Sequence, residues 1–244
     1  SLRLDQALVT RAHCESRTEA QELIQKGYVS VNGLVTTKQT KRVEDSDVVN
    51  CLKGRDYVSR GGSKLEGALF EIFHTKEAIL DACTGKVALD VGASTGGFTD
   101  CLLRFKVAHV DAVDVGTSQI HHKIAMNPAV SVFENTNILN FNTLNNYDII
   151  VADLSFTKLS IVLKCLIELG KPSTLYLLLI KPQFEVGKGN TKKGIVKNLE
   201  LVDEVLGEYR SHAEELGLTA ITLFPCVIKG GDGNQEYFLS GILK

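Results

Sequence analysis

Residues 87–101 read V-A-L-D-V-G-A-S-T-G-G-F-T-D-C, and this stretch constrains the fold more than any other. An apolar run of strand length ends in Asp90. Gly92, Gly96 and Gly97 then free the backbone, and apolar residues resume at helical spacing from Phe98 to Phe105. Strand, tight turn and helix form the unit of an α/β sheet. Glycine in that turn predicts a close approach of the backbone to something at the strand's carboxyl end, where a Cβ would intrude.

The turn is not a dinucleotide fingerprint, because Ser94 stands where the second glycine belongs, and it lacks the G-K-[ST] ending of a phosphate loop. His109 to Val113 reads as the next strand and ends at Asp114. An acid about twenty positions beyond the first glycine can accept hydrogen bonds from both hydroxyls of a ribose. A nucleoside without a pyrophosphate fits both observations, and S-adenosylmethionine is the common cofactor of that description. For the glycine loop alone, an ordinary structural turn is the competing reading.

Composition narrows the setting. With 244 residues, 44% hydrophobic content and only 4 Pro, the chain can bury one or two cores. Its longest aliphatic-aromatic run, Leu175 to Ile180, is far short of the roughly 20 residues that span a bilayer. The 6 Cys are scattered without a C-x-x-C pair, and the start shows no signal-peptide pattern, which predicts reduced thiols, a cytoplasmic protein and no metal site. The net charge of -2 is unevenly shared, because residues 1–64 are basic and the remainder acidic.

In chain order, Leu2 to Val9 and Ser16 to Lys26 carry apolar residues at helical spacing, and Gly27 closes the second helix. Asn32-Gly33 between short alternating runs predicts a hairpin, and Val43 to Val49 a further turn and strand. Cys51 to Ser59 lacks an apolar period and reads as a linker. A helix is expected from about Ser63, with Arg60 and Lys64 at its start, an unusual place for cations unless an anionic partner is near. Strands are expected at Val130 to Phe133, Tyr147 to Ala152, Leu175 to Ile180, Thr219 to Phe224 and Glu236 to Leu243, and helices at Ser160 to Leu169 and Leu199 to Leu216. Asp153 and Lys181 follow two strands directly, at the edge where open parallel sheets bind ligands. Glu185 to Asn198, with its lysines and glycines, predicts a mobile basic loop. The alternation predicts a doubly wound, Rossmann-like α/β fold of seven strands.

The stretches R-L-D-Q-A-L-V and S-R-T-E-A-Q-E-L-I-Q-K-G-Y-V-S-V-N-G resemble the RNA-binding S4 domain. That resemblance implies a small α+β domain over residues 1–52, a linker over 53–59, and RNA contacts from Arg3, Arg11, Arg17, Lys26 and Lys38, with Arg60 added from the next helix. The stretches Y-V-S-R-G-G-S-K-L, L-D-V-G-A-S-T-G-G-F-T-D, V-A-D-L-S-F, L-I-K-P-Q-F-E and G-N-Q-E-Y-F resemble the FtsJ-type methyltransferases over residues 60–244. With the amino-terminal module they are similar to the TlyA (haemolysin A) family.

This resemblance implies S-adenosylmethionine-dependent 2′-O-methylation of ribosomal RNA, on cytidine in some members, by a tetrad falling on Lys64, Asp153, Lys181 and Glu236. It implies cofactor contacts at Gly92, Ser94, Thr95, Phe98 and Asp114, and Asn137 lies where many methyltransferases place a polar residue near adenine. Ribosomal RNA or ribosomal subunits are the expected partners. Competing readings are a membrane-active haemolysin, a catalytically idle RNA-binding protein and a nicotinamide oxidoreductase. The first lacks an amphipathic basic or membrane-spanning segment, the second has no use for four matching charges, and the third lacks the diphosphate turn.

Overall fold

The computed structural model describes all residues except Glu15, Lys26, Gly33, 52–56, Phe156 and Lys188. The chain divides into two compact units, Ser1–Asp56 with Val227–Gly231, and Tyr57–Cys226 with Asp232–Lys244. The expected RNA contact Lys26, the second residue of the Asn32-Gly33 turn and most of the expected linker lie outside the described residues.

In the first unit β1 (Leu2–Arg3) leads into α1 (Leu4–Thr10) and α2 (Arg17–Gln25), followed by β2 (Val29–Val31), β3 (Leu34–Val35), β4 (Arg42–Val43) and β5 (Val49–Cys51). Strand β2 pairs antiparallel with both β3 and β5, and β1 pairs with β4. Leu4, Leu8, Ala20, Ile24, Val29 and Val49 close one small core, in keeping with the helical and alternating spacings of the sequence. Cys51 pairs with Val29, so this part of the expected linker is strand.

The second unit begins with α3 (Arg60–Phe73) and α4 (Lys76–Cys83). Helix α3 starts three residues before the expected Ser63. Glycines 61 and 62 weaken a helix by propensity, but here they are where α3 packs against Phe98 and Tyr57, and a side chain at Gly62 would collide with the Tyr57 ring. The chain continues through β6 (Val87–Val91), α5 (Gly97–Arg104), β7 (His109–Val113), α6 (His122–Ala125), β8 (Val130–Phe133), β9 (Tyr147–Ala152), α7 (Leu159–Glu168), β10 (Gly170–Ile180) and α8 (Pro182–Glu185). It closes with β11 (Thr191–Lys192), β12 (Ile195–Val196), α9 (Leu199–Glu215), β13 (Leu218–Pro225) and β14 (Tyr237–Leu243).

Seven strands form one mixed sheet in the order β13-β14-β10-β9-β6-β7-β8. Strands β10, β9, β6, β7 and β8 are mutually parallel, and β14 runs antiparallel between β10 and β13. Side chains alternate across it. Leu89 and Val91 join a core with residues of α7 and α9, whereas Asp90, on the opposite face, meets Thr99 of α5. Both faces are covered, which is why β6, β9 and β10 are nearly continuous apolar runs. The order reverses between β6 and β9, the switch point at which such sheets open a crevice beyond the strand ends.

The loop expected over 185–198 contains a short hairpin that composition did not signal. Thr191 pairs with Val196 and Lys192 with Ile195, and Lys193 and Gly194 both take positive φ, as a two-residue hairpin turn requires. Buried Asn234 secures the hairpin, donating from Nδ2 to Gly194 O (2.9 Å) and accepting at Oδ1 from Val196 N (2.9 Å). No helix among the described residues is long and apolar enough to cross a membrane.

Candidate active site

Four charged side chains meet at the carboxyl ends of the central strands. Lys64 comes from the second turn of α3, Asp153 follows β9, Lys181 follows β10, and Glu236 immediately precedes β14. Lys64 Nζ donates to Glu236 Oε2 at 2.6 Å, and both are buried, at 8% and 2% exposure. Lys181 Nζ lies 2.5 Å from Asp153 Oδ1 as a charge contact, while its hydrogen bond runs to Ser155 Oγ at 3.1 Å. Burial pushes the Lys64 pKa down, but the charges of Asp153 and Glu236 outweigh it and leave the pKa above the ordinary lysine value. Lys64 therefore stays an ammonium and links the two pairs; Lys64–Glu236 is an interior ion pair, whereas Asp153–Lys181 is partly open on the Asp153 side.

The glycine turn sits beside them for a reason the sequence alone did not reveal. A Cβ on Gly92 would lie 2.5 Å from the Asp153 carbonyl oxygen, and Gly92 has φ +78. The close approach at this position is thus to the neighbouring strand end, so Gly92 sets how near Asp153 stands to the turn. Gly97 is excluded from carrying a side chain by Ser59 and the backbone of α3. Next in the turn, Ser94 holds a left-handed φ of 48, uncommon for a residue with a side chain and frequent at functional sites.

A cavity of about 480 Å³ opens from this turn, lined among others by Gly92, Ser94, Asp114, Asn137, Asp153 and Ile161. That volume is within the roughly 300–1,000 Å³ of small-molecule sites. Asp114 accepts from Ser94 N and Gly116 N, both at 2.7 Å, one on each oxygen, so the carboxylate is held in place with lone pairs to spare. Asn137 caps the short 3-10 turn at 138–140 by accepting from Leu139 N. A smaller polar cavity of about 120 Å³ adjoins, lined by Phe98, Gly97, Ser94, Asp153, Ser155 and Lys181 among others. Of the expected cofactor residues, Gly92, Ser94, Asp114 and Asn137 line the large cavity and Phe98 the small one. Thr95 lines neither, and its carbonyl accepts from His121 N.

Sequence reasoning passed over Ser155, the hydroxyl partner of Lys181. It also passed over Val115, Leu139 and Ile161, the exposed apolar rim of the large cavity. Buried Asp90 lies behind the turn and accepts from Thr99 Oγ1 at 2.6 Å. Burial pushes its carboxyl up to about 7, against the Thr99 hydrogen bond, and the Asp153 charge adds to the rise.

The sequence pattern of the FtsJ-like methyltransferases matches residues 57–242, the whole of this sheet and site, and that of the S4 domain matches residues 2–49. The chain belongs to the FtsJ-like methyltransferase family. This FtsJ-like methyltransferase is 38% identical to the 16S/23S rRNA (cytidine-2′-O)-methyltransferase TlyA of Mycobacterium tuberculosis, covering 97% of this chain and 88% of that one. It is 34% identical to Hemolysin A of Brachyspira hyodysenteriae over 99% of this chain and 100% of the relative. A solved Streptococcus thermophilus structure, provisionally titled a hemolysin, superposes with TM-score 0.72 at 29% identity, covering 100% of this chain and 88% of that one.

In the S4 unit of this FtsJ-like methyltransferase, several of the cations expected to face RNA have intramolecular partners. Asp5, fully buried, receives Arg3 Nε at 3.0 Å, Arg17 Nη2 at 2.9 Å and Gln21 Nε2 at 2.9 Å. Arg11 donates to the carbonyls of Glu44 and Asp47, both at 2.7 Å. Arg17 and Lys38 remain exposed, while Arg60 opens α3 half-buried.

Proposed function

We propose that the protein transfers the methyl group of S-adenosylmethionine to a ribose 2′-hydroxyl of ribosomal RNA, with cytidine as the target nucleoside. The observation that carries this reading is the pair of ion pairs, Lys64–Glu236 and Asp153–Lys181, set beside a nucleoside-sized cavity at the switch point of the sheet. The names of the curated relatives point to the same reaction.

The cavity suits the cofactor by its chemistry. Among the described residues its lining holds two carboxylates, Asp114 and Asp153, polar Ser94 and Asn137, an apolar rim, and no Lys, Arg or His. A cationic sulfonium nucleoside is attracted there, and a diphosphate is repelled. Asp114 would hold the ribose hydroxyls, Ser94 and Gly92 the amino-acid side, and Val115, Leu139 and Ile161 the base. The bound cofactor supplies an electrophilic methyl group.

The chain's own work is on the acceptor. A ribose hydroxyl is a weak nucleophile that must lose its proton as it attacks. Lys181 acts in its neutral amine form, after its ammonium proton has passed to solvent. Its Nζ then takes the hydroxyl proton as the oxygen bonds to the methyl carbon and the sulfur departs with the pair of the broken S–C bond. Asp153 and Ser155 aim the Lys181 amine, Lys64 as a permanent ammonium offsets negative charge developing on the oxygen, and Glu236 keeps Lys64 in place. The S4 unit captures RNA through Lys38, the outer edge of Arg17 and neighbouring cations, and an enzyme with that substrate works in the cytoplasm. Phosphate capture of this kind weakens as salt rises.

The test is methyl transfer by the full chain to rRNA, with the modified atom mapped. Lys181→Ala should lower the rate about a hundred- to ten-thousandfold, the usual range for a lost general base, while cofactor binding persists. A near wild-type rate, or a methyl group found on a base, would overturn the tetrad assignment.

A further inference from the structure

We propose that Glu185 and Tyr209 are positioning residues that set the distance between Asp153 and Lys181, by joining the two chain segments that carry them. The inference rests on the reading of Lys181 as the base aimed by Asp153 and extends it to residues outside both cavities.

Helix α7, the first helix after Asp153, begins without a cap of its own, because the Lys158 side chain at its N-cap accepts nothing. The first N–H groups of any helix need partners from elsewhere. Here they come from distant elements. Leu159 N donates to Glu185 Oε1 at 3.1 Å, and Ser160 N donates to the Tyr209 hydroxyl at 2.7 Å. Tyr209 in turn donates to the same Glu185 Oε1 at 2.8 Å.

Glu185 is the last residue of α8, the single turn that starts at Pro182 directly after Lys181. One carboxylate oxygen therefore ties the segment following β10 to the segment following β9. The ring closes at its other end in the Asp153–Lys181 contact. Tyr209, 4% exposed, belongs to the main core through α9, so the ring is fastened to the body of the sheet. Burial, with the Glu185 carboxylate, raises the Tyr209 phenol well above its ordinary value, so it keeps the proton it donates. A carboxylate at a helix amino terminus is also favoured by the helix dipole.

Reaction rates are steep in such distances, and a misplacement of about 1 Å can cost on the order of a hundredfold. Neither Glu185 nor Tyr209 lines the cavities among the described residues, so they act through the placement of others.

The experiment compares Glu185→Ala, Glu185→Gln and Tyr209→Phe in the full chain, measuring kcat and KM for rRNA methylation, cofactor affinity by calorimetry, and the thermal midpoint. Glu185→Ala and Tyr209→Phe should lower kcat by about tenfold, leaving KM and cofactor affinity unchanged. Glu185→Gln keeps an oxygen that accepts from Leu159 and Tyr209 and should recover most of kcat. A lowered thermal midpoint with wild-type kcat for the Ala and Phe variants would reduce the network to a structural cap and overturn the proposal. So would equal losses for Gln and Ala. Should Glu185→Ala fail to fold, Tyr209→Phe, which keeps the ring in the core, decides alone. Lys181→Ala is run alongside: if it stays active the tetrad reading falls, whereas an inactive Lys181→Ala with fully active brace variants sinks this proposal alone.

Discussion

Lys64 and Glu236 stand 172 positions apart in the chain, yet Nζ and Oε2 are 2.6 Å apart in the interior. Removing Glu236 leaves the buried Lys64 charge with only Asp153 to offset it, at a cost of up to about 3–5 kcal/mol. Glu236→Ala should therefore lower the urea midpoint of the methyltransferase unit sharply, and Glu236→Gln, which can still accept from Lys64, should lower it less. Equal midpoints for the two variants would show that the pair is not what holds Lys64.

Gly92→Ala places a Cβ against the Asp153 carbonyl and forces a left-handed φ on an L-residue. That conformation costs roughly 1–2 kcal/mol by itself, and the collision must move the segment bearing Asp153. Loss of stability together with loss of kcat is expected, read by denaturation and by turnover. A variant with unaltered turnover would mean that the turn and Asp153 are not coupled.

Asp114→Ala should weaken S-adenosylmethionine binding about ten- to a hundredfold, the range expected when a charged hydrogen-bonding group worth about 1.5–3 kcal/mol is removed. Calorimetric titration with the wild-type chain should also show no preference for NAD. Tight NAD binding would contradict the absence of cations among the described lining residues.

The pH dependence of stability should carry the signature of Asp90. Its carboxyl titrates at about 7 when folded, against an ordinary value of 3.8. Between those values the native state keeps a proton that the unfolded chain has released. The folded-state penalty is thus absent below about pH 4, grows as pH rises to about 7, and is constant above that. Wild-type stability should fall over this window, and Asp90→Asn should flatten the fall. Parallel curves for the two proteins, from denaturant midpoints at about pH 5 and pH 8, would rule it out.

In the S4 unit, Arg3, assisted by Gln21 and Arg17, holds the Asp5 carboxylate well below its usual range despite burial. Stability from this cluster is present above the ordinary carboxylate value and is lost as pH falls below it. Asp5→Ala should remove amide protection from α1 while β6 and β9 remain protected, as hydrogen exchange would report. Unchanged protection in α1 would mean that the two arginines find other partners.

What was legible in the sequence was local. Buried strands announce themselves as apolar runs, so β6, β9 and the apolar second half of β10, and the polar residues after them, could be read directly, while Gly170 to Thr174, which open β10, lack that signal. The small core of the S4 unit was legible from its 3.6- and 2-residue spacings. Less visible were the start of α3, where close packing overrides glycine propensity, and the β11–β12 hairpin, whose two-residue strands show no alternation and whose holding partner, Asn234, lies far along the chain. The reason for Gly92 was beyond sequence altogether, because the atom it makes room for is on another strand.

The sequence by itself determined most of the order of elements and the placing of Asp153 and Lys181 at two strand ends, since these follow from short-range periodicity, while Lys64 and Glu236 were marked by the family resemblance. Only the tertiary structure decided that Lys64 pairs with Glu236 rather than with Asp153 or solvent, that Asp5 takes two of the arginines, and that Glu185 caps a helix after a different strand. Those partnerships depend on which distant segments burial brings within about 3 Å, and desolvation makes such contacts decisive for buried charges.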